Sequence, residues 1–254
     1  MASILSVSEL HRSFYGVHAL KGMSLEVEEA TVTGLIGPNG AGKTTLFNCI
    51  SGAIRADSGE IVFRGENITK LAPHQITRRG LIRTYQIARG FPRLTVLENL
   101  LLYGRDQPGE SIGTALFRRR SMCEREAQLQ DKALSIARRL NLSKMLGSKA
   151  SSLSGGQKKL LEIGRVLMAE PKLILFDEPM AGVNPSLIRE IEEQLKAIAA
   201  EGITVVLIEH QMDAIAKLCQ HVVVLADGQR LTEGTFEKVA SNEAVQQAYM
   251  GYAQ

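Results

Sequence analysis

Residues 37–44 read Gly-Pro-Asn-Gly-Ala-Gly-Lys-Thr, and no other stretch of the 254-residue chain restricts its folding as much. The run fits G-x-x-x-x-G-K-[ST] at every fixed position. It follows an apolar run, Val32–Ile36, and precedes an apolar helix start at Leu46, Phe47 and Ile50. Strand, glycine-rich turn and helix is the local order that a backbone phosphate cradle needs. The glycines let successive N–H groups point inward at phosphate oxygens, and the helix adds the positive end of its dipole. Gly37, Pro38, Asn39, Gly40, Ala41, Gly42, Lys43 and Thr44 are therefore candidate binding residues. Lys43 is expected to reach the β- and γ-phosphates and the Thr44 hydroxyl to reach Mg2+. A glycine-rich turn that binds nothing is the competing reading, and the correct flanks weigh against it.

Two rhythms of hydrophobicity organise the rest of the chain. In the first third, residues 4–10, 23–28 and 60–64 alternate apolar with polar, as half-buried antiparallel strands do. In the last third, residues 173–176, 203–208 and 222–225 are short, nearly unbroken aliphatic runs, as in strands buried on both faces of a parallel sheet. Between the first two of these, Leu187, Ile188, Ile191, Leu195 and Ile198 recur at helical spacing, with Asn184 as N-cap and Pro185 at the first helical position. Strand, helix and strand make a βαβ crossover. Residues 90–150 are helical in pattern, above all 124–140. The expected fold is α/β: a P-loop NTPase core with a mostly parallel sheet, an N-terminal antiparallel β subdomain and an inserted α-helical subdomain. We expect one domain over 1–254, with the core and β subdomain at 1–89 and 160–235, the helical subdomain at about 90–159 and a helical tail at 236–254.

Two further motifs carry chemistry. Leu173-Ile174-Leu175-Phe176-Asp177-Glu178 is a buried strand ending in adjacent carboxylates. Side chains alternate along a strand, and ligands sit at the carboxyl ends of strands in open α/β sheets. Asp177 is thus expected to face Mg2+ and Glu178 to face an attacking water as general base. A carboxylate pair that is merely solvated is the alternative, and the phosphate loop upstream argues against it. Leu153-Ser154-Gly155-Gly156-Gln157 precedes an apolar helical pattern at Leu160, Leu161, Ile163 and Leu167. Ser154-x-x-Gln157 is a capping box. A serine and two glycines at a helix start also form a second anion site. One nucleotide needs one cradle, so the second is expected to serve another copy.

Composition narrows the classes. Lys+Arg number 30 against 27 Asp+Glu, a net charge of +3, well short of a dedicated nucleic-acid binder. Cys49, Cys123 and Cys219 stand far apart with no CxxC pair, so neither a zinc knuckle nor a disulfide framework is expected and a reducing compartment fits. No apolar run approaches the roughly 18–20 residues that span a bilayer. The N-terminal segment alternates and lacks a basic stretch, so no signal peptide is expected.

The order GPNGAGKTT, Gln86, LSGGQ, LILFDEP and His210 resembles the ATP-binding subunits of ABC transporters over essentially the whole chain. The stretches TVLENL (95–100), LFRR (116–119), LEI (161–163), AGVNP (181–185), IEH (208–210) and AYMG (248–251) resemble the ATPase subunits of branched-chain amino acid importers. The resemblance implies ATP and Mg2+ as cofactors and adds Thr45 to the phosphate loop. It implies that Tyr15 stacks on adenine, with Phe14 as a second candidate. Gln86 would touch Mg2+ and couple to membrane subunits, and His210 would contact the γ-phosphate. Ser154, Gly155, Gly156 and Gln157 would close over the nucleotide of a partner. The implied partners are a second ATPase subunit, identical or paralogous, packed head to tail, two transmembrane permease subunits and a solute-binding protein. No nucleic acid is implied. The implied location is cytoplasmic, on the cytoplasmic face of the inner membrane.

ATPases of urea or lipopolysaccharide systems, and a soluble ATPase of iron–sulfur assembly, stay open as alternatives. Adenylate-kinase-type enzymes have no LSGGQ and are excluded. Two departures stand out: Asn184 where the family usually carries Asp, and Gln211 where an acidic residue often follows the histidine. The amide of Asn184 retains hydrogen bonding without charge, and N-cap is its plainer role. His11, His18, His74 and His221 match nothing. Residues 64–93 hold seven basic side chains (Arg64, Lys70, Arg78, Arg79, Arg83, Arg89 and Arg93) against one acidic, Glu66, and Arg118, Arg119 and Arg120 add to them. They read as a positive face toward a membrane, or as ordinary solvated arginines.

Overall fold

Alternation in the first third of the chain builds a hairpin, β1 (Ser3–Phe14) and β2 (Val17–Glu28), antiparallel and broken by register shifts. Phe14 pairs with Val17 across a two-residue turn in which Tyr15 and Gly16 both have positive φ, 47° and 87°. That is the type I′ geometry that matches strand twist. The structure, a computed structural model, describes residues 3–84, 91–105 and 119–250, the side chains of 119–123 excepted. After the hairpin come β3 (Val32–Ile36) and α1 (Lys43–Ile50), then β4 (Ser58–Phe63), β5 (Glu66–Asn67), α2 (Pro73–Arg78) and β6 (Leu81–Arg83). Three helices follow: α3 (Val96–Leu101), α4 (Arg119–Arg139) and α5 (Gly155–Met168). The chain continues through β7 (Leu173–Asp177), α6 (Pro185–Ala200), β8 (Thr204–Ile208), α7 (Met212–Leu218), β9 (His221–Ala226) and β10 (Gln229–Gly234). It closes with α8 (Phe236–Ala240) and α9 (Glu243–Met250).

The strands form two sheets. One is antiparallel, in the order β2-β1-β4-β5; the other runs β10-β9-β3-β8-β7-β6 and is parallel except for β10. The aliphatic runs occupy the inner strands, and every residue of β3, β7 and β8 is buried. This is the expected α/β fold. β6 and β10 escape a reading of periodicity, since one is three residues long and the other is a polar edge. The chain divides into two compact units, Met1–Gln86 with Lys172–Ala181 and Arg189–Gln254, and Ile87–Pro171 with Gly182–Ile188.

In the first unit α1 shares one core with both sheets. Leu46, Phe47 and Ile50 are fully buried among Leu5, Leu25 and Phe63 of the antiparallel sheet and Leu35, Leu175, Val206 and Leu225 of the parallel one. Each such side chain contributes roughly 1.5–3 kcal/mol on burial, so the helix leaving the glycine-rich turn is held by side chains from two directions. The second unit is pinned by polar groups as well. Asn99, fully buried in α3, donates from Nδ2 to the carbonyls of Phe91, Leu94 and Thr95 and accepts the Phe91 N–H. Thr95 and Glu98 form a capping box at the start of α3. The tail is two helices rather than one, capped by Thr235 and Asn242. Among the described residues no helix is long and apolar enough to cross a membrane.

Burial pushes the Cys49 thiol up to about 11 and the Cys219 thiol up to about 12. At pH 8 the thiolate populations should lie on the order of a hundredfold (Cys49) and a thousandfold (Cys219) below that of an unfolded cysteine. In a Cys123→Ser variant, we expect native protein to react with a disulfide reagent at least tenfold more slowly than denatured protein. Raised thiol pKa values stabilise the fold below the unfolded pKa, and that contribution is lost as pH rises from about 9 toward 12, which denaturant titrations at both ends check.

Candidate functional site

β3 ends at Ile36 and the chain turns through the glycine-rich loop into α1. Gly37 and Gly42 hold positive φ, 149° and 105°. A Cβ on Gly37 would run into the Leu225 carbonyl, and one on Gly42 would lie 2.5 Å from the Ala19 carbonyl. Both positions therefore need glycine for space as well as conformation. The loop is tied to the β9–β10 turn, because the Gly228 N–H donates to the Ala41 carbonyl at 3.0 Å. Lys43 is only 7% exposed. Its Nζ donates to the Gly37 and Pro38 carbonyls at 2.7 and 2.9 Å. Burial lowers the Lys43 pKa from its ordinary value, while the charges of Glu178 and Asp177 pull it back. The ammonium and both carboxylates therefore share one electrostatic site. Thr44 is exposed and Thr45 half-buried on the first turn of α1.

Asp177 closes β7 and is buried. Its Oδ2 accepts from Arg83 Nη2 at 3.0 Å, and Arg83 Nη1 donates to Asn48 Oδ1 at 2.5 Å. Both partners of the ion pair are nearly inaccessible, 4% and 6% exposed, and the guanidinium also lies 5.7 Å from the centre of the Phe47 ring. Asn48 is one helical turn from Thr44, so Arg83 joins the face of α1 that carries Thr44 to the end of β7. Within residues 64–93, Arg83 is turned inward and Arg79 makes a two-pronged pair with Glu66; Arg89 and the side chains of Arg118, Arg119 and Arg120 lie outside the described residues.

Glu178 does not continue the alternation of the strand. It lies past the end of β7 with φ 50°, a left-handed conformation that costs a non-glycine residue free energy and that clusters at functional sites. Its N–H donates to the Ile208 carbonyl at 3.0 Å, and its Oε1 lies 3.0 Å from His210 Nε2. The direction of the Glu178 side chain therefore follows from this turn, whereas Asp177 is still in register as the last residue of β7. Glu209 completes the corner. It is 3% exposed, accepting the Met180 N–H through Oε1 at 2.8 Å and the His210 N–H through Oε2 at 3.1 Å. Nothing in the sequence set it apart as a brace, since its partner lies 29 residues away.

The structure thus gathers Lys43, Asp177, Glu178 and His210 in the first unit. Tyr15 sits at the hairpin tip with its ring fully exposed. Beneath it Arg12 lies over the Phe14 ring at 4.6 Å and pairs with Asp57 at 2.7 Å, which also accepts the Ser13 N–H. Gln86 lies outside the described residues. Ser154, Gly155, Gly156 and Gln157 belong to the second unit. The capping box is formed: Ser154 Oγ accepts the Gln157 N–H and Gln157 Oε1 accepts the Ser154 N–H. A Cβ on Gly156 would overlap Leu187, whereas one on Gly155 would point into open space. Asn184 Oδ1 accepts the Leu187 N–H at 3.0 Å, the N-cap role. Among the described residues no cluster of His, Cys, Asp or Glu could hold a metal ion alone. Thr44 on the first turn of α1 and Asp177 at the end of β7 offer oxygen donors, the ligand chemistry that suits Mg2+, although Asp177 Oδ2 already accepts from Arg83.

A glycine-rich loop and helix start at one end of a mostly parallel sheet, faced by two carboxylates, define a P-loop nucleotide-binding cassette. A sequence profile described as ABC transporter matches residues 20–181. The chain is 39% identical over 250 residues to a probable branched-chain amino acid transport ATP-binding protein LivG of Archaeoglobus fulgidus, covering 98% of this chain and 95% of that one. It is 37% identical over 251 residues to the high-affinity branched-chain amino acid transport ATP-binding protein BraF of Pseudomonas aeruginosa, covering 98% of both. The crystal structure of the ADP conformation of an ATP-binding cassette of an ABC transporter superposes with a TM-score of 0.85 at 39% identity, over 99% of this chain and 100% of that one. The chain belongs to the ABC transporter family of ATP-binding proteins, and its fold is that of the family's ATPase cassettes.

Arg83 yields a direct expectation. Truncating one partner of a buried ion pair strands the other charge, at a cost of about 3–5 kcal/mol. Arg83→Ala should lower stability by that order, read from the urea midpoint with an unchanged m-value.

Proposed function

We propose that this chain is the ATP-hydrolysing subunit that energises a membrane ABC importer for branched-chain or related amino acids. The reading is carried by the meeting of Lys43, Asp177, Glu178 and His210 at the carboxyl ends of β7 and β8, beside the phosphate loop. The names of the relatives supply the substrate class: they are branched-chain amino acid transport proteins matched over nearly their whole length.

In this reading the loop amides from Gly37 to Thr45 bind the phosphate chain, and Lys43 exchanges its carbonyl partners for phosphate oxygens. Tyr15 offers its ring to the adenine. Thr44 and Asp177, with Gln86, would hold Mg2+, which would supply positive charge to neutralise the phosphates. Glu178 takes the proton of the attacking water, and the imidazole of His210 orients that carboxylate. The left-handed turn at Glu178 and the two hydrogen bonds accepted by Glu209 fix the positions of both residues. Ser154, Gly155, Gly156 and Gln157 close on the nucleotide of a second ATPase subunit, packed head to tail. Only a contact made to ATP and not to ADP can drive that closure. Two permease subunits and a solute-binding protein complete the system, and the subunit sits on the cytoplasmic face of the inner membrane.

Glu178→Gln should bind ATP as the wild type does and lose at least a hundredfold in turnover, the share expected of a general base. Turnover at the wild-type rate removes Glu178 from that role. Affinity capture of the tagged chain from gently solubilised membranes of its host tests the wider reading. Two hydrophobic proteins and an ATPase of similar size are the expected companions. Recovery with soluble proteins alone overturns the transporter assignment.

A further inference from the structure

Arg83, the last residue of β6, and Thr84 after it both hold Asp177, and neither has a task in the scheme above. Thr84 is buried. Its Oγ1 accepts the Asp177 N–H at 3.3 Å, and its own N–H donates to the Leu175 carbonyl at 2.9 Å. Arg83 takes the side chain, but not as Arg79 takes Glu66, with two nitrogens on two oxygens. Nη2 donates to Asp177 Oδ2 alone, at 3.0 Å, while Nη1 goes to Asn48 Oδ1 at 2.5 Å and reaches Ser51 Oγ at 3.5 Å. A two-pronged clamp would occupy both carboxylate oxygens. This arrangement leaves Asp177 Oδ1 without a hydrogen bond among the described residues. The two anchors of the guanidinium also lie on the two elements that carry the oxygen donors. Asn48 shares a face of α1 with Thr44, one turn apart, and Asp177 ends β7. The guanidinium is 4% exposed and lies against the Phe47 ring, so it is held where it stands.

We propose that Arg83 is a positioning residue for the metal: by bridging Asn48 to Asp177 Oδ2 it fixes the end of β7 against α1 and leaves the other carboxylate oxygen, Oδ1, to ligate Mg2+. A fork with two fixed directions does this; a lysine carries the same charge but cannot hold both acceptors in one geometry. Hydrogen bonds that orient a ligating carboxylate are worth about 10–100-fold in metal affinity. Arg83 thus serves the nucleotide site from behind, without touching metal or nucleotide. The inference rests on the reading of Thr44 and Asp177 as the metal ligands.

The test compares Arg83→Lys, Asn48→Ala and Asp177→Asn with wild type in the full chain. Mn2+ is the metal probe: the free ion is followed by its electron paramagnetic resonance signal as it is titrated into protein with a non-hydrolysable ATP analogue. Binding of a fluorescent ATP analogue in EDTA gives the metal-free affinity, and Tm is recorded for each variant. Arg83→Lys keeps the buried charge of the pair. Asn48→Ala leaves the ion pair whole and removes only its tie to α1, so it decides the matter if Arg83→Lys does not fold. Mn2+ affinity should fall roughly tenfold or more in Arg83→Lys and about three- to tenfold in Asn48→Ala, with metal-free nucleotide affinity within about twofold of wild type. A purely structural role would lower Tm and leave the Mn2+ affinity of the folded protein unchanged. Wild-type Mn2+ affinity in either folded variant therefore overturns the proposal. Tighter Mn2+ binding in either also overturns it, since Arg83 would then compete with the metal for Asp177. Asp177→Asn reports on the reading beneath: if it keeps wild-type Mn2+ affinity, Asp177 is not a metal ligand and that reading falls too.

Discussion

Everything at the site depends on α1 being immobile. A phosphate cradle made of backbone N–H groups works only if the peptide planes keep their directions, and glycines cannot supply that stiffness themselves. The chain obtains it by burying Leu46, Phe47 and Ile50 between two sheets. The antiparallel sheet presses on the helix from one side and the parallel sheet from the other, so the residues that close the loop inherit the rigidity of the core. The close approaches at Gly37 and Gly42 extend this clamp to the loop. Flexible residues are thus used where rigid neighbours leave them no freedom.

The second half of the site is built from a turn. β7 delivers Asp177 into a buried pair with Arg83, and the chain then adopts a left-handed conformation at Glu178. The same corner is stitched from the neighbouring strand by the Ile208 carbonyl and by Glu209. Backbone strain at one residue is held by hydrogen bonds at three others. Glu178 and His210 meet at 3.0 Å as a result, although 32 residues separate them along the chain.

How much of this the sequence disclosed depended on range. The phosphate loop was legible because eight contiguous residues carry it, and the parallel strands because full burial leaves unbroken aliphatic runs. The capping box at Ser154 and the N-cap at Asn184 were legible because their partners lie three residues on. What lay hidden was long-range. Arg83 looked like one more basic side chain, because its carboxylate is 94 residues away. Glu209 and Asn99 looked like family markers, and only their hydrogen bonds reveal them as braces. Alternation along β7 reaches as far as Asp177 but not Glu178, since periodicity carries no signal for a single left-handed residue at a strand end.

The hairpin tip has a thermodynamic consequence for recognition. Tyr15 stands fully exposed on a two-residue turn whose backbone is already committed, with Arg12 locked between Phe14 and Asp57 directly below. A flat ligand that stacks on this ring has to order two side-chain torsions and no main chain. Most of the entropy that an exposed loop would surrender on binding has been removed by folding. An aromatic surface held in this way would give the proposed adenine contact of Tyr15 with little affinity lost to ordering.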